Sequence, residues 1–146
     1  MELPYWLRPD RPEGPRGVLI GDGQFGFNVV GTSFHQERIE AIARARTRTA
    51  LNRFCAALIA PQPNNLYDRD AVVISIHGIE VGHLDHDSAR EFGKVLTSSG
   101  FADAACEAEI AGEWVRSADD WGYVGVRLNA CLPFNIVPTD KYLTAK

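Results

Sequence analysis

Residues 71–84 read AVVISIHGIEVGHL, and this stretch decides the fold. Apolar side chains stand at every second position from Val72 to Ile76, which is the period of a half-buried strand. His77–Gly78 provides a two-residue turn, and a second strand follows over residues 79–84. The pattern predicts an antiparallel hairpin rather than strands joined by a helical crossover.

A helix is predicted directly after this hairpin, over residues 86–98. Asp85 precedes it, and its carboxylate can accept hydrogen bonds from the free N–H groups of the first turn. Gly100 suits the C-terminal cap. The residues spaced for the buried face of this helix are Ala89, Phe92, Val95 and Leu96.

The rest of the chain reads mainly as strands. Strands are predicted at 18–20, 25–31, 54–60, 103–114 and 122–130, with a short helix at 36–46. Gly21, Gly23 and Gly26 match G-x-G-x-x-G, but β-forming residues follow them, so we interpret them as a hairpin turn between the first two strands. This order predicts a mostly β protein with two helices (α+β), folded as a partly open β-barrel with helices at its ends.

Length and composition are those of one soluble globular domain. The chain has 146 residues, of which 45% are hydrophobic and 23% charged. We expect a proline-rich arm at 1–16, the barrel domain at 17–138 and a tail at 139–146. No apolar run is long enough to span a membrane, and the N-terminus lacks the pattern of a secretory signal.

The three cysteines bear on the compartment. Cys55, Cys106 and Cys131 are widely spaced and form neither a C-x-x-C pair nor a disulfide framework. This spacing indicates a reducing, cytoplasmic environment and makes structural zinc improbable.

Charge is unevenly distributed along the chain. The net charge of −4 argues against a bulk nucleic-acid binder that works by counterion release. Residues 80–120 are strongly acidic, whereas residues 36–53 are basic. Arg44, Arg46 and Arg48 in the basic segment are candidate phosphate contacts, and the alternative is a solvated helix face.

Catalytic and metal-binding patterns find little support. His83, Asp85, His86 and Asp87 lie close in sequence, but a strand end and a helix start point their side chains apart, and no fourth ligand is spaced to close a zinc site. There is no G-x-S-x-G elbow and no phosphate-binding loop. We therefore expect no enzymatic activity, no cofactor and no metal.

Residues 61–72, PQPNNLYDRDAV, carry the most informative chemistry. Tyr67 offers a ring for stacking, and ionised Asp68 can only accept hydrogen bonds. That pair suits a ligand with a hydroxyl group, such as a sugar or a nucleoside terminus. The alternative is that Asn65 and Asp68 only satisfy the backbone of their own turn.

The sequence resembles the HIRAN domain over about residues 28–130. The resemblance rests on VVGTSFH at 29–35, on the 61–72 segment, on GIEVGHL at 78–84 and on Ala89. It looks like the short bacterial forms, in which the domain stands nearly alone. The family implies a modified OB-like barrel.

The resemblance also implies a function, which is capture of the free 3′ end of single-stranded DNA. Carried over by position, Tyr67 is a stacking ring, Asp68 accepts the terminal 3′-hydroxyl and Asn65 shapes the loop. Phe34 matches a second aromatic position that is normally a tyrosine, and His83 matches a polar residue beside the pocket.

Some positions depart from the family pattern. Ser33 stands where the family has a DNA-binding arginine, His86 stands where it has a lysine, and Leu66 replaces a common proline. The first two changes remove phosphate contacts, which normally supply most of the affinity for a nucleic-acid backbone. We therefore expect a weak binder of single-stranded DNA ends, active in DNA repair or genome maintenance.

Two other functions stay open at this point. One is a protein-interaction module that keeps the barrel and has lost DNA binding, which the acidic balance and Ser33 favour. The other is a pocket for a nucleotide or modified nucleoside. The related translocases carry an ATPase motor and often a zinc RING, and this chain has the motif of neither.

Overall fold

The computed structural model describes residues 15–49, 54–112 and 124–139. Within them the chain forms eight strands, two α-helices and a short 3₁₀ turn. The elements are β1 (Arg16–Ile20), β2 (Phe27–Asn28), the 3₁₀ turn (Thr32–Phe34), α1 (Gln36–Thr49), β3 (Phe54–Pro61), β4 (Val72–Ile76), β5 (Ile79–His83), α2 (His86–Ser99), β6 (Asp103–Gly112), β7 (Val124–Leu128) and β8 (Asn135–Pro138). The prediction of a mostly β protein with two helices is confirmed.

The strands form one curled sheet in the order β2-β7-β6-β3-β4-β5. Along one edge, the long strand β6 pairs with the antiparallel strand β3. The other edge pairs first with β1 and then with β7, so that two short strands lie end to end along it. This curled sheet is a half-barrel and agrees with the predicted OB-like, partly open barrel.

The predicted hairpin between the first two strands is wrong. β1 lies between β6, to which it is parallel, and β8, to which it is antiparallel, whereas β2 pairs with β7. The turn between β1 and β2 is held by Asn129 instead, whose Oδ1 accepts a hydrogen bond from Gly23 N at 2.8 Å. β8 was not predicted, because it is only four residues long and two of them are exposed.

Three local predictions are confirmed. His77 and Gly78 have φ angles of 54° and 77°, the left-handed pair that a type I′ turn requires between β4 and β5. Asp85 Oδ1 accepts a hydrogen bond from Ser88 N at 2.9 Å and so caps α2. Gly100 ends that helix with a φ of 78°.

Both helices pack on the sheet through apolar faces, and the face of α2 is the predicted one. Ile39 and Ile42 of α1 are buried, and α1 contacts β5 and β7. Phe92 of α2 is fully buried and meets Phe134 edge-on, with ring centroids 5.8 Å apart. Only two residues separate the end of β5 from the start of α2, so these two ends lie close together. No helix in the described ranges is long and apolar enough to cross a membrane.

Candidate functional site

The β3–β4 loop, residues 62–71, is closed at its base by the backbone. Gln62 N donates to Ala71 O at 2.8 Å, which ties the two ends of the loop together. Asn65 N donates to Gln62 O at 3.0 Å, and Ala71 N donates to Asp68 O at 3.1 Å. The loop is therefore a series of tight, hydrogen-bonded turns.

The side chain of Asn65 organises the tip of this loop. Its Oδ1 accepts hydrogen bonds from Tyr67 N at 2.8 Å and Asp68 N at 3.0 Å. Its Nδ2 donates to Gln62 Oε1 at 3.0 Å. Asn65 thus satisfies its own turn, as the alternative interpretation of this segment holds, and it also orients the two residues that carry the candidate chemistry.

Gln62 joins the loop to the end of β5. Its Oε1 lies 3.2 Å from Nε2 of His83. The backbone of His83 in turn exchanges two hydrogen bonds of 2.9 Å with Val30. The 3₁₀ turn that carries Phe34 begins two residues after Val30, so the backbone brings this aromatic residue to the same end of the sheet.

Asp68 is held on both of its carboxylate oxygens. Oδ1 accepts from Asp70 N at 2.9 Å, and Oδ2 lies 3.1 Å from Nδ1 of His86 at the start of α2. The Asp70 N–H, then His86, and more weakly Arg90 lower the pKa of Asp68 from its ordinary value of 3.8. A carboxylate has about four acceptor positions, so this side chain, 32% exposed, keeps capacity for a ligand.

Three large apolar side chains project into solvent at this end of the molecule. Tyr67 is 96% exposed, Leu66 is 94% exposed and Phe34 is 86% exposed. Aromatic side chains usually bury most of their area, so the exposed rings of Tyr67 and Phe34 are available surfaces for stacking.

Comparison with known protein families agrees with this architecture. The HIRAN domain model matches residues 22–130, which is most of the chain. The chain belongs to the HIRAN domain family. Membership indicates nucleic-acid binding, and a HIRAN domain is not catalytic by itself. No curated protein and no solved structure matches the chain.

The HIRAN fold brings together most of the residues singled out in the sequence. Hydrogen bonds link Asn65, Tyr67, Asp68, His83 and His86, either directly or through Gln62. Their roles in binding stay predictions. The side chains of the three candidate arginines, Arg44, Arg46 and Arg48, lie outside the described part of the structure.

Sequence reasoning missed two kinds of residue in this HIRAN domain. Gln62 connects the loop to β5 through His83. No local sequence pattern predicts that contact, because the two residues are 21 positions apart. Arg90 lies one helical turn after His86, and its charge reaches Asp68. Spacing alone could have found Arg90, because residues four apart share a helix face.

The side chains of the histidines and aspartates around the start of α2 have separate partners and do not meet at a common site. His83 faces Gln62, His86 faces Asp68, and Asp85 caps the helix. In the ranges that the structure describes, no group of three or more His, Cys, Asp or Glu side chains is placed to hold a metal ion.

Proposed function

We propose that this HIRAN domain binds the free 3′ end of single-stranded DNA. In this proposal Asp68 accepts the hydrogen bond of the terminal 3′-hydroxyl, and Tyr67 and Phe34 stack on the terminal bases. The observation that carries it is the juxtaposition, on a hydrogen-bonded loop, of an almost fully exposed ring and a partly exposed carboxylate.

The chemistry of Asp68 supplies the preference for a hydroxyl. Its lowered pKa keeps the carboxylate ionised at neutral pH, so it can accept a hydrogen bond and cannot donate one. A terminal 3′-phosphate would place a second anion against the carboxylate and be repelled. The Asp70 N–H and His86 hold the two carboxylate oxygens, and Asn65 fixes the backbone of Asp68. His83 contacts the loop through Gln62.

Affinity in this proposal is modest and comes mainly from stacking. Each stacked base contributes about 1–3 kcal/mol. Ser33 and His86 stand where the family has cationic residues, so contacts with backbone phosphates at these positions add little to the affinity. We place the activity in DNA repair or genome maintenance in a bacterial cytoplasm, as a non-enzymatic module.

A second candidate function is binding to a protein partner through the same surface. Leu66 is 94% exposed beside Tyr67, and a protruding aliphatic–aromatic pair is typical of protein interfaces. The net charge of −4 also favours a partner other than a polyanion. The experiment below separates the two functions.

The test is an anisotropy titration of a 5′-labelled, ten-nucleotide single strand at low salt, ending in either a 3′-hydroxyl or a 3′-phosphate. Asp68→Asn keeps an acceptor for Asp70 N and removes the negative charge. We expect it to bind the hydroxyl end about tenfold more weakly than the wild type, and to discriminate less between the two ends.

Asp22→Asn is the matched control, because Asp22 Oδ1 also accepts a hydrogen bond from the backbone N–H two residues later, at 2.9 Å. It should bind like the wild type. A folded wild-type protein that treats both ends alike would contradict 3′-end recognition. Complete absence of DNA binding would favour the protein-partner function.

A further inference from the structure

A groove of about 730 Å³ adjoins the proposed end site. The end of the β3–β4 loop forms one wall and α2 forms the other. Its apolar lining includes Val72, Leu96 and Phe101. Arg69 lines both this groove and the hollow at the loop tip that Tyr67 and Asp68 also line, so the two concave surfaces adjoin at Arg69.

The groove is rich in positive charge, although the chain as a whole is acidic. Three cationic side chains line it, Arg69, Arg90 and Lys94, against the single carboxylate of Asp70. Among residues 15–49, 54–112 and 124–139, neither arginine forms a salt bridge. Lys94 Nζ lies 3.3 Å from Glu91 Oε1, an exposed pair that solvent screens.

The cations follow the axis of α2 away from the end site. His86, Arg90 and Lys94 are spaced by four residues, which puts them on one helix face about 6 Å apart along the axis. That interval is of the same order as the separation of successive phosphates in an extended single strand. His86 contacts Asp68, so this row begins at the proposed hydroxyl acceptor.

We infer that this groove binds the sugar–phosphate backbone of the nucleotides that precede the 3′ terminus, with Arg90, Lys94 and Arg69 contacting phosphates. The inference rests on the proposed function, because it extends the same strand beyond the end site. The apolar lining accommodates sugars, and the cations along it contact the phosphates. The positive charge that Ser33 and His86 lack is therefore supplied one and two helical turns further along α2.

A change in salt dependence tests this inference. In Arg90→Gln/Lys94→Gln two phosphate contacts are lost, so the slope of log K against log salt should become less steep by about 1.4. Between 50 and 200 mM salt, the variant should then lose about sevenfold less affinity than the wild type. The advantage of a ten-nucleotide strand over a three-nucleotide strand should also shrink.

The single variant Arg127→Gln is the control for the arginine change in the double variant, because Arg127 is an exposed arginine on β7, which does not line the groove. It should keep the wild-type slope. Equal unfolding midpoints for all variants would show that these exposed substitutions leave the fold intact.

The outcomes separate the groove from the end site. If the wild type prefers a 3′-hydroxyl and Arg90→Gln/Lys94→Gln keeps both that preference and the wild-type salt slope, the groove inference is overturned and the end site stands. If the slope falls while the preference persists, the inference is supported. If the wild type shows no preference, the proposed function fails and this inference fails with it.

Discussion

One amide side chain determines the geometry of the candidate site. Asn65 accepts from two successive backbone N–H groups and donates to Gln62. Backbone amides that lack such a partner would sample several turn conformations in water. The position of the Asp68 carboxylate and the Tyr67 ring therefore depends on a residue that need not touch the ligand itself.

Asn65→Ala should weaken both the loop and DNA binding. We expect the free energy of unfolding to fall by about 1 kcal/mol, because hydrogen bonds are lost. Affinity for a 3′-hydroxyl strand should fall about tenfold, since at least one further residue must be ordered on binding. Urea denaturation and anisotropy measure the two effects.

Asn64→Ala is the control for that substitution. Asn64 is the neighbouring exposed amide in the same turn, so its loss should change the unfolding free energy by less than about 0.5 kcal/mol. Equal DNA affinity for Asn65→Ala and the wild type would contradict the positioning role of Asn65.

At the scale of elements, the start of α2 has a structural role and, in the proposed function, a role in binding. Asp85 caps the helix, and the next residue, His86, contacts the loop carboxylate. The cap and the contact with Asp68 are therefore made by adjacent residues at the first turn of α2. Asp85 thus stabilises the helix, and His86 beside it contacts the candidate site.

Asp85→Ala should lower the free energy of unfolding at pH 7 by about 1 kcal/mol. The Ser88 N–H, followed by the Ser88 side chain, lowers the pKa of Asp85 below its ordinary 3.8. An acid with a lowered pKa stabilises the fold above its unfolded pKa and loses that effect as pH falls through the folded pKa. The difference between wild type and variant should therefore shrink below about pH 3.8.

Asp85→Asn separates the cap from the charge. Asparagine caps helices about as well as aspartate, so this variant should keep most of the stability at pH 7 and lack the acid dependence. Urea denaturation at several pH values measures both. A wild-type to Asp85→Ala difference that stays constant down to pH 2 would refute this role of the ionised cap.

At the scale of the whole molecule, the curled sheet packs around a hydrophobic core that contains a cysteine thiol. Cys106 of β6 is buried, whereas Cys131 is partly exposed, and all three cysteines are free thiols. Burial, and then the charge of Glu107, raise the pKa of the Cys106 thiol to about 12. The intact barrel therefore keeps this thiol protonated and shielded.

Cys106 should resist alkylation at pH 8 until the barrel unfolds. With a pKa near 12 the thiolate fraction is small, so modification should be about a thousandfold slower than that of an ordinary exposed cysteine. Mass spectrometry after alkylation, with and without urea, locates the adducts. Labelling of Cys106 as fast as Cys131 in the folded protein would contradict the closed core.

The raised thiol pKa also has a consequence for stability. An acid whose folded pKa exceeds its unfolded value contributes stability that is fully present below the unfolded pKa, here 9.0, and is lost as pH rises towards 12. The Cys106 contribution therefore favours the fold at neutral pH.

Local chemistry made much of the secondary structure predictable. The His77–Gly78 turn, the Asp85 cap and the Gly100 end each depend on residues within a few positions of one another. The residue types that point to a hydroxyl-bearing ligand are likewise adjacent in the 61–72 segment. The sequence by itself therefore determined the main elements, the partly open barrel and the chemistry of the loop.

Only the tertiary structure decided how distant segments meet. β1 could have paired with β2 by sequence, yet it lies between β6 and β8, because a buried strand needs hydrogen-bond partners on both edges and many strands can supply them. Likewise, the contact of Gln62 with His83 and the alignment of Arg90 with the loop depend on packing across the sheet and α2. No local sequence pattern links the residues in such contacts, so only the fold brings these separate candidate residues together.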